Sequence, residues 1–403
     1  MYNENINKLK NSMKIGFFTD SYLPVIHGVT ISIESFRKNL EKNGHEVFVY
    51  APSAPGYKDE THEIYRFKSV KAIKKPEMRF GFPVVQNDSL KKIIGLKLDI
   101  IHAHTPFSMG LMGKFISERQ KIPLIYTHHT DYPEYAKSYL LKEKLITPYI
   151  AKLYCSWFAN LSNKIIAPSP KIAALLKESG VRREIHVLAT GIDIESFKKT
   201  EASKRAALEL RKHFNFSPEE KVMIFVGRMG GEKNVEFLLD SFKKIREQRS
   251  NIKFALVGDG PHLSKLKSAA KKLNLEGEIF VGNVPHDKIP VYYQAADLFV
   301  FASLTDTQGI VALEAMASGL PIVALQDDAL KNIVIDNENG FFVEHGQPEA
   351  FAKKIINIFD DGNLYKRLSR QAKLTVKDYS QENQTKKLLD IYQSALSLYH
   401  KLN

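Results

Sequence analysis

The feature that most constrains the fold is an alternation. Short, uninterrupted apolar runs are separated by segments whose apolar residues recur every three or four positions. KIGFFT (14–19), HEVFVYAP (45–52), LDIIHAHTP (98–106), IPLIYTHHT (122–130) and NKIIAPSP (163–170) are runs of the first kind. A strand with one wet face alternates apolar and polar residues; one that is apolar throughout has both faces covered. Between the first two runs, residues 29–43 place Ile33, Phe36 and Leu40 at helical spacing, and Gly44 is a natural stop. Repeated in this way, strand and helix describe a parallel sheet with helices on both faces.

The pattern restarts in the second half. VMIFVGR (222–228), IKFALVGDG (252–260), EIFVGNV (278–284), DLFVFAS (297–303) and PIVAL (321–325) read as strands, and residues 234–248 and 264–274 as helices. The polar, Lys/Glu-rich region 188–220 is where a boundary falls, and residues 364–403 read as helix. A chain of 403 residues is also too long for one typical core. The expected class is therefore α/β, with two doubly wound, Rossmann-like domains facing across a cleft. Residues 1–195 form the first, 196–380 the second, and 381–403 a C-terminal helix packing back on the first.

Several classes are excluded. No apolar run reaches the ~18 residues of a membrane span, and the start MYNENINKLKNS lacks the apolar core of a secretory signal. The single cysteine, Cys155, excludes an internal disulfide and a Cys-based zinc site. It lies in an apolar helical run and reads as a small core residue. A cytoplasmic setting is the expectation. The net charge of +13 is uneven: residues 1–200 carry 30 Lys/Arg against 19 Asp/Glu, or +11, and the rest carries +2. A basic first half either faces an anionic partner (a membrane, an acidic substrate, nucleic acid) or is a solvated surface.

Ligands of such sheets bind outside the carboxyl ends of the strands, and four loops there carry chemistry. In TDSYLPVIHGVTIS (19–32), Gly28 is either a plain turn residue or the point where a phosphate approaches a helix N-terminus. YTHHTDYPEY (126–135) concentrates histidine, carboxylate and tyrosine. His129 reads as a structural histidine, a hydrogen-bond donor to a sugar hydroxyl, or an acid/base group near neutral pH. A metal site is disfavoured, because adjacent His128 and His129 point apart in extended chain. In FVGRMGGEKN (225–234), Arg228 and Lys233 sit in a glycine-bearing loop before a helix; they suit a diphosphate, or form an exposed basic loop.

The fourth loop opens SLTDTQGIVALEAMASGLPIVAL (303–325). A helix starting near Gly309 presents the amides of Gly309, Ile310 and Val311 to phosphate. Glu314, little more than a turn on, accepts two hydrogen bonds from a vicinal diol such as a ribose. Asp306 reaches the group beyond the phosphate. The alternative is an acidic residue serving the helix dipole and one buried Glu. Asp20, Tyr132 and Tyr135, in the first two loops, are the candidates for acceptor contacts.

These residues resemble those of the GT-B-fold retaining glycosyltransferases of family 4. The match runs over nearly the whole chain, through GFFTDSYLPVIHGVTISI, DIIHAHTPFSMG, YTHHTDY, VLATGIDIESF, VGRMGGEKNVEFLL, LVGDGP and TDTQGIVALEAMASGLPIVA. The wording is most similar to bacterial diacylglycerol glucosyltransferases and phosphatidylinositol mannosyltransferases. The resemblance implies that Arg228 and Lys233 hold the donor diphosphate, Glu314 the ribose and His129 the transferred sugar. It also implies that His129 and Asp306 are the catalytic pair. Position 306 departs from the pattern, with Asp for the usual first Glu, which bears on the identity of the sugar more than on the reaction. Front-face attack, with the leaving phosphate as base and no protein nucleophile, is implied too. No D-x-D occurs in the chain, so no metal and no other cofactor is expected.

The basic stretches suggest the acceptor. YRFKSVKAIKKPEMRFGF (65–82) sets Lys68, Lys71, Lys74, Lys75 and Arg79 among aromatics, and KSYLLKEKLITPYIAKLYCSWF (137–158) mixes lysines with Leu, Tyr and Trp157. Such stretches lie on an anionic bilayer surface, or the second is a core-facing helix. The favoured expectation is a hexose moved from UDP-glucose or UDP-galactose to a membrane lipid such as diacylglycerol, by an enzyme peripheral to the inner face of the cell membrane. The alternative is GDP-mannose as donor with phosphatidylinositol or a soluble sugar as acceptor. A nucleic-acid-binding protein would explain the charge but neither THHTDY nor Asp306 and Glu314. An NAD-dependent oxidoreductase has only VGDGPH, at the wrong spacing.

Overall fold

The computed structural model describes residues 12–59, 61, 63–72, 75–81, 93–135, 147–275, 277–303 and 305–402. Two compact units result, one of the chain up to Gly191 together with Gln381 onward, the other of Ile192–Ser380.

In the first unit, β1 (Lys14–Phe18), β2 (Glu46–Pro52), β3 (Ile64–Phe67), β6 (Ile100–Ala103), β7 (Leu124–Thr127), β8 (Lys164–Ala167) and β9 (Ile185–Val187) form one sheet in the order β3-β2-β1-β6-β7-β8-β9. Every pairing in it is parallel. A separate antiparallel pair, β4 (Ser69–Ala72) and β5 (Lys75–Gly81), interrupts the series. Successive side chains of a strand point to opposite faces. Ile15 and Phe17 therefore pack with Ile33, Phe36 and Leu40 of helix α1 (Gly28–Lys42) on one face. Phe18 packs on the other, with Met109, Met112 and Ile116 of α2 (Ser108–Gln120) and Phe158 of α3 (Pro148–Leu161). Both faces are covered, so a four-residue strand such as β7, Leu-Ile-Tyr-Thr, is buried at every position. Each fully buried aliphatic or aromatic side chain contributes about 1.5–3 kcal/mol.

The C-terminal helix, Gln381–Leu402, brings Leu388, Ile391, Tyr392 and Ala395 into the α1 side of this core. The segment read as one helix over 364–403 is broken: Gly362–Thr375 ends in a 3-10 turn at Val376–Tyr379 before the last helix begins.

In the second unit, β10 (Lys221–Val226), β11 (Ile252–Val257), β12 (Glu278–Gly282), β13 (Leu298–Phe301), β14 (Ile322–Leu325) and β15 (Gly340–Val343) lie in the order β12-β11-β10-β13-β14-β15. All five pairings are parallel. Helices α4 (Val235–Arg246) and α5 (Ile310–Ala317) follow β10 and β13.

The polar region 188–220, where the boundary was expected, holds helices Ile194–Phe197 and Glu201–His213. The second buries only Ala207 and lays Lys204 on Glu201 (2.7 Å) and Lys212 on Glu209 (2.8 Å) along its surface. A helix polar nearly all round has no apolar period to announce it. Strands β3, β9 and β15 and the β4–β5 pair are likewise additions to the elements legible in the sequence. In both sheets the order reverses beside the first strand, between β1 and β6 and between β10 and β13. Ligands bind in the crevice at such a switch point.

Candidate functional site

The second unit's switch point joins two of the expected loops. After β10, Gly227–Gly230 leads into a 3-10 turn at Gly231–Lys233, and Asn234 (φ 51°) turns the chain into α4. After β13, the chain reaches Asp306 and then Gly309. Lys233 Nζ lies 2.7 Å from Asp306 Oδ2, with both side chains about four-fifths buried. Asp306, expected beyond the phosphate, is thus bound to one of the two expected phosphate cations. The two opposite charges attract at the mouths of neighbouring strands, where little water screens them. Arg228 stays half-exposed, 4.0 Å from Glu232 Oε1.

Helix α5 begins without a side-chain cap, so the N–H groups of Ile310 and Val311 have no partner within the helix. Gly309 turns the chain into it at φ 74°, where a Cβ would meet Leu330 Cδ2 at 2.3 Å; only glycine fits. Glu314 is buried on α5. Tyr293 donates its hydroxyl proton to Glu314 Oε2 at 3.1 Å, and His286 Nε2 stands 3.4 Å from Oε1. The Glu314 hydrogen bond raises the His286 pKa above the usual imidazole value, against partial desolvation. His286 is half-exposed in a short 3-10 turn. The sequence signalled neither it nor Tyr293, since they meet Glu314 from 28 and 21 residues away, across separate elements.

The first unit's switch point gathers histidines. His102 and His104, two apart along the end of β6, lie on one side of the sheet and stack at 4.2 Å. His104 Nδ1 is 3.0 Å from His129 Nε2, which leaves β7 next door. His102 is held at Nδ1 by Tyr392 Oη (2.6 Å) and at Nε2 by Thr127 Oγ1 (2.7 Å). His128 turns the other way, to Tyr126 Oη at 2.9 Å. Burial pushes the pKa of His129 down to about 3, with His128 and His27 nearby adding to the effect. His102 falls to about 3 and His128 to about 4 for the same first reason. An acid/base role for His129 near neutral pH is therefore not supported: its ring is uncharged there and acts as a neutral hydrogen-bonding group. The alternation His-x-His in a buried strand was the available signal for His102 and His104.

Gly28 opens α1, one residue further into the helix than expected, and nothing lies within 4 Å of a Cβ placed on it. His27, an unexpected N-cap, accepts from Thr30 N at Nδ1 (3.3 Å), so its proton sits on Nε2, toward Ser21. Asp20 accepts from Thr105 Oγ1 (2.6 Å), Ser108 Oγ and Met109 N (3.1 Å). Both its oxygens thereby anchor the start of α2, whose N-cap Phe107 makes no side-chain bond. Its carboxylate serves the fold, which tells against acceptor contact. Tyr132 packs edge-on to Phe107 and His128, and Tyr135 ends the same short helix, Tyr132–Tyr135.

Of the basic stretch, Lys68 is exposed and Arg79 donates to Ser69 Oγ and O across the β4–β5 pair. Lys71 and Lys75 lie on those strands with side chains outside the described residues, as is Lys74 altogether. Helix α3 turns Cys155, Phe158 and Ala159 inward and Tyr149, Ile150, Leu153 and Trp157 outward, each at least half exposed. Burial pushes the Cys155 thiol up to about 12. No described helix is long and apolar enough to cross a membrane.

Comparison with known proteins agrees with the fold. The family described as "Glycosyltransferase Family 4" matches residues 26–196, and "Glycosyl transferases group 1" matches 207–375. The alpha-monoglucosyldiacylglycerol synthase of Streptococcus pneumoniae is 34% identical over 348 residues, 85% of this chain and 78% of that one. Its counterpart from Acholeplasma laidlawii is 31% identical over 405 residues, 94% and 96% of the two chains. Among solved structures, Anabaena HepE in complex with UDP and glucose superposes with a TM-score of 0.76 at 20% identity, over 95% of this chain and all of that one. The chain belongs to the GT-B glycosyltransferases, with a family 4 region in its first half and a group 1 region in its second.

Proposed function

We propose that the protein transfers a hexose, with retention of anomeric configuration, from a nucleoside-diphosphate sugar to a membrane lipid. UDP-glucose or UDP-galactose is the favoured donor and diacylglycerol the favoured acceptor. The carrying observation is the assembly at the second switch point: Lys233 on Asp306 at 2.7 Å, the uncapped start of α5, and Glu314 oriented by Tyr293 and His286. In this reading the α5 amides, Arg228 and Lys233 bind the diphosphate, Glu314 accepts from the ribose hydroxyls, and His129 contacts the hexose. The acceptor oxygen bonds to the anomeric carbon as the bond to the diphosphate oxygen breaks. The hydroxyl proton leaves with the nucleoside diphosphate. None of these steps calls on a metal.

The lipid acceptor is supported by the two synthases and by the first half's excess of basic charge. The outward Tyr149, Ile150, Leu153 and Trp157 of α3 add an apolar face with interfacial aromatics, suited to a bilayer surface. The test is nucleotide release with UDP-glucose, UDP-galactose and GDP-mannose, each with and without diacylglycerol vesicles and with excess chelator. Lipid-dependent release of UDP that survives chelation is the expected result. Release from GDP-mannose alone, or a requirement for added Mg²⁺ or Mn²⁺, overturns the donor or the metal-free assignment.

A further inference from the structure

Among the described residues, His104 Nε2 is a buried polar atom with no hydrogen-bond partner. Around it, the ring of Phe17 stands edge-on at 4.7 Å and that of His102 stacks at 4.2 Å. Neither offers it a lone pair, because both nitrogens of His102 are engaged by Tyr392 and Thr127. The other nitrogen, Nδ1, faces His129 Nε2 at 3.0 Å. Both rings are buried, His129 keeping a small exposed edge, and burial keeps them uncharged at neutral pH, so one proton lies between them, and it belongs to one ring or the other.

The two possibilities differ in what they strand. If His129 Nε2–H donates, His104 must carry its proton on Nε2, a buried N–H with no acceptor. If His104 Nδ1–H donates, Nε2 is a bare lone pair, the milder defect, since buried N–H groups are almost never left orphaned. The second arrangement has a consequence for His129. Its Nε2 is an acceptor, so its own proton sits on Nδ1, and Nδ1 makes no hydrogen bond to any described residue. We infer that His104 is a positioning residue that fixes the tautomer of His129, so that His129 presents Nδ1–H as a donor to an oxygen of the transferred hexose. His102, held at both nitrogens by the C-terminal helix and β7, backs His104 by stacking and keeps its ring plane. The donor role rests on the reading of His129 given above; the tautomer does not.

The test separates the two. Long-range ¹H–¹⁵N correlation spectra of the full chain at neutral pH, assigned by comparison with His129→Gln, report which nitrogen of His129 is protonated. A protonated Nδ1 is the expected result, and a protonated Nε2 overturns the inference. The amide of Asn can place an N–H where His104 has Nδ1; Leu cannot. His104→Leu is expected to mix the His129 tautomers and to lower hexose transfer roughly 10- to 100-fold, with the KM for donor changed less than kcat. His104→Asn is expected to restore the Nδ1–H signature and most of the lost turnover. Loss of turnover in both variants with the wild-type tautomer kept in both overturns the positioning role. The expected tautomer shifts with no change in transfer leave the tautomer assignment standing and sink the sugar contact of His129.

Discussion

Lys233 and Asp306 are 73 positions apart in the chain and 2.7 Å apart in space. They meet because β10 and β13 are neighbours at the point where the strand order reverses, so the loops leaving their carboxyl ends converge. A cation expected to hold phosphate therefore rests on a carboxylate, and on the proposed reading the donor diphosphate shares it with Asp306. Asp306 holds Lys233 in place and tempers its charge.

That sharing predicts coupling. Lys233→Ala and Asp306→Asn each lower kcat/KM for transfer, Lys233→Ala by about 100-fold or more. In a double-mutant cycle the two losses fall short of additivity by about 1 kcal/mol or more, because the second change removes an interaction already gone. Strictly additive losses would show that the two side chains act separately on the donor.

Glu314 is the second anchor. On the proposed reading, Glu314→Ala removes the ribose contact and one of the two acceptors of the Tyr293 hydroxyl, the other being Val311 O at 3.1 Å, for a loss of about 2–4 kcal/mol of transition-state binding with the fold intact. The same carboxylate raises the His286 pKa, so their attraction is fully present below the ordinary imidazole value and is lost as pH rises through the raised one. An NMR titration of His286 should therefore drop toward or below the ordinary value in Glu314→Gln. An unchanged titration would mean that the 3.4 Å pair does not form in solution.

Acid acts on the first unit in the opposite sense. His102 and His129 are depressed to about 3 and His128 to about 4, with His104 well below its ordinary value. Groups with lowered folded pKa contribute stability above the unfolded value near 6.5, and that stability drains as pH falls toward 4–3. Each such histidine costs about 1.4 kcal/mol per pH unit in that window. Thermal unfolding followed at Trp157, the only tryptophan and in the first unit, should lose Tm steeply from pH 6.5 to 4.5. His128→Gln should blunt the slope. A flat Tm over that range would show that these rings are not buried in solution.

Membrane attachment separates lipid from soluble acceptors. Vesicles rich in anionic lipid should pellet the protein, less so at high salt. Each Lys near such a surface adds about 1 kcal/mol. Replacing Lys71, Lys74 and Lys75 with Glu should release the protein and leave nucleotide binding unchanged, and Leu153→Ser with Trp157→Ser should weaken partition by removing the apolar contact. Equal partition onto neutral and anionic vesicles, or none onto either, favours a soluble acceptor.

The amino-acid sequence alone determined the parallel, doubly covered sheets, because strands apolar on both faces have one stable environment. It also marked Lys233, Asp306, Gly309 and His129, which follow the ends of apolar runs, and Glu314, a lone carboxylate in the apolar helix that begins at Ile310. What it hid was of two kinds. Glu201–His213 was hidden because a helix held by surface ion pairs carries no apolar period. His286, Tyr293 and Tyr392 were hidden, and His104 was marked only by the His-x-His alternation, because their roles lie in contacts across 21 to 290 positions, which no local pattern encodes. Only the tertiary structure decided that Asp306 rests on Lys233 and that Asp20 is spent on a helix terminus. It alone enclosed His129 until it is neutral, since charge state and hydrogen-bond direction follow from what surrounds a group, and strand order, not sequence order, sets the surroundings.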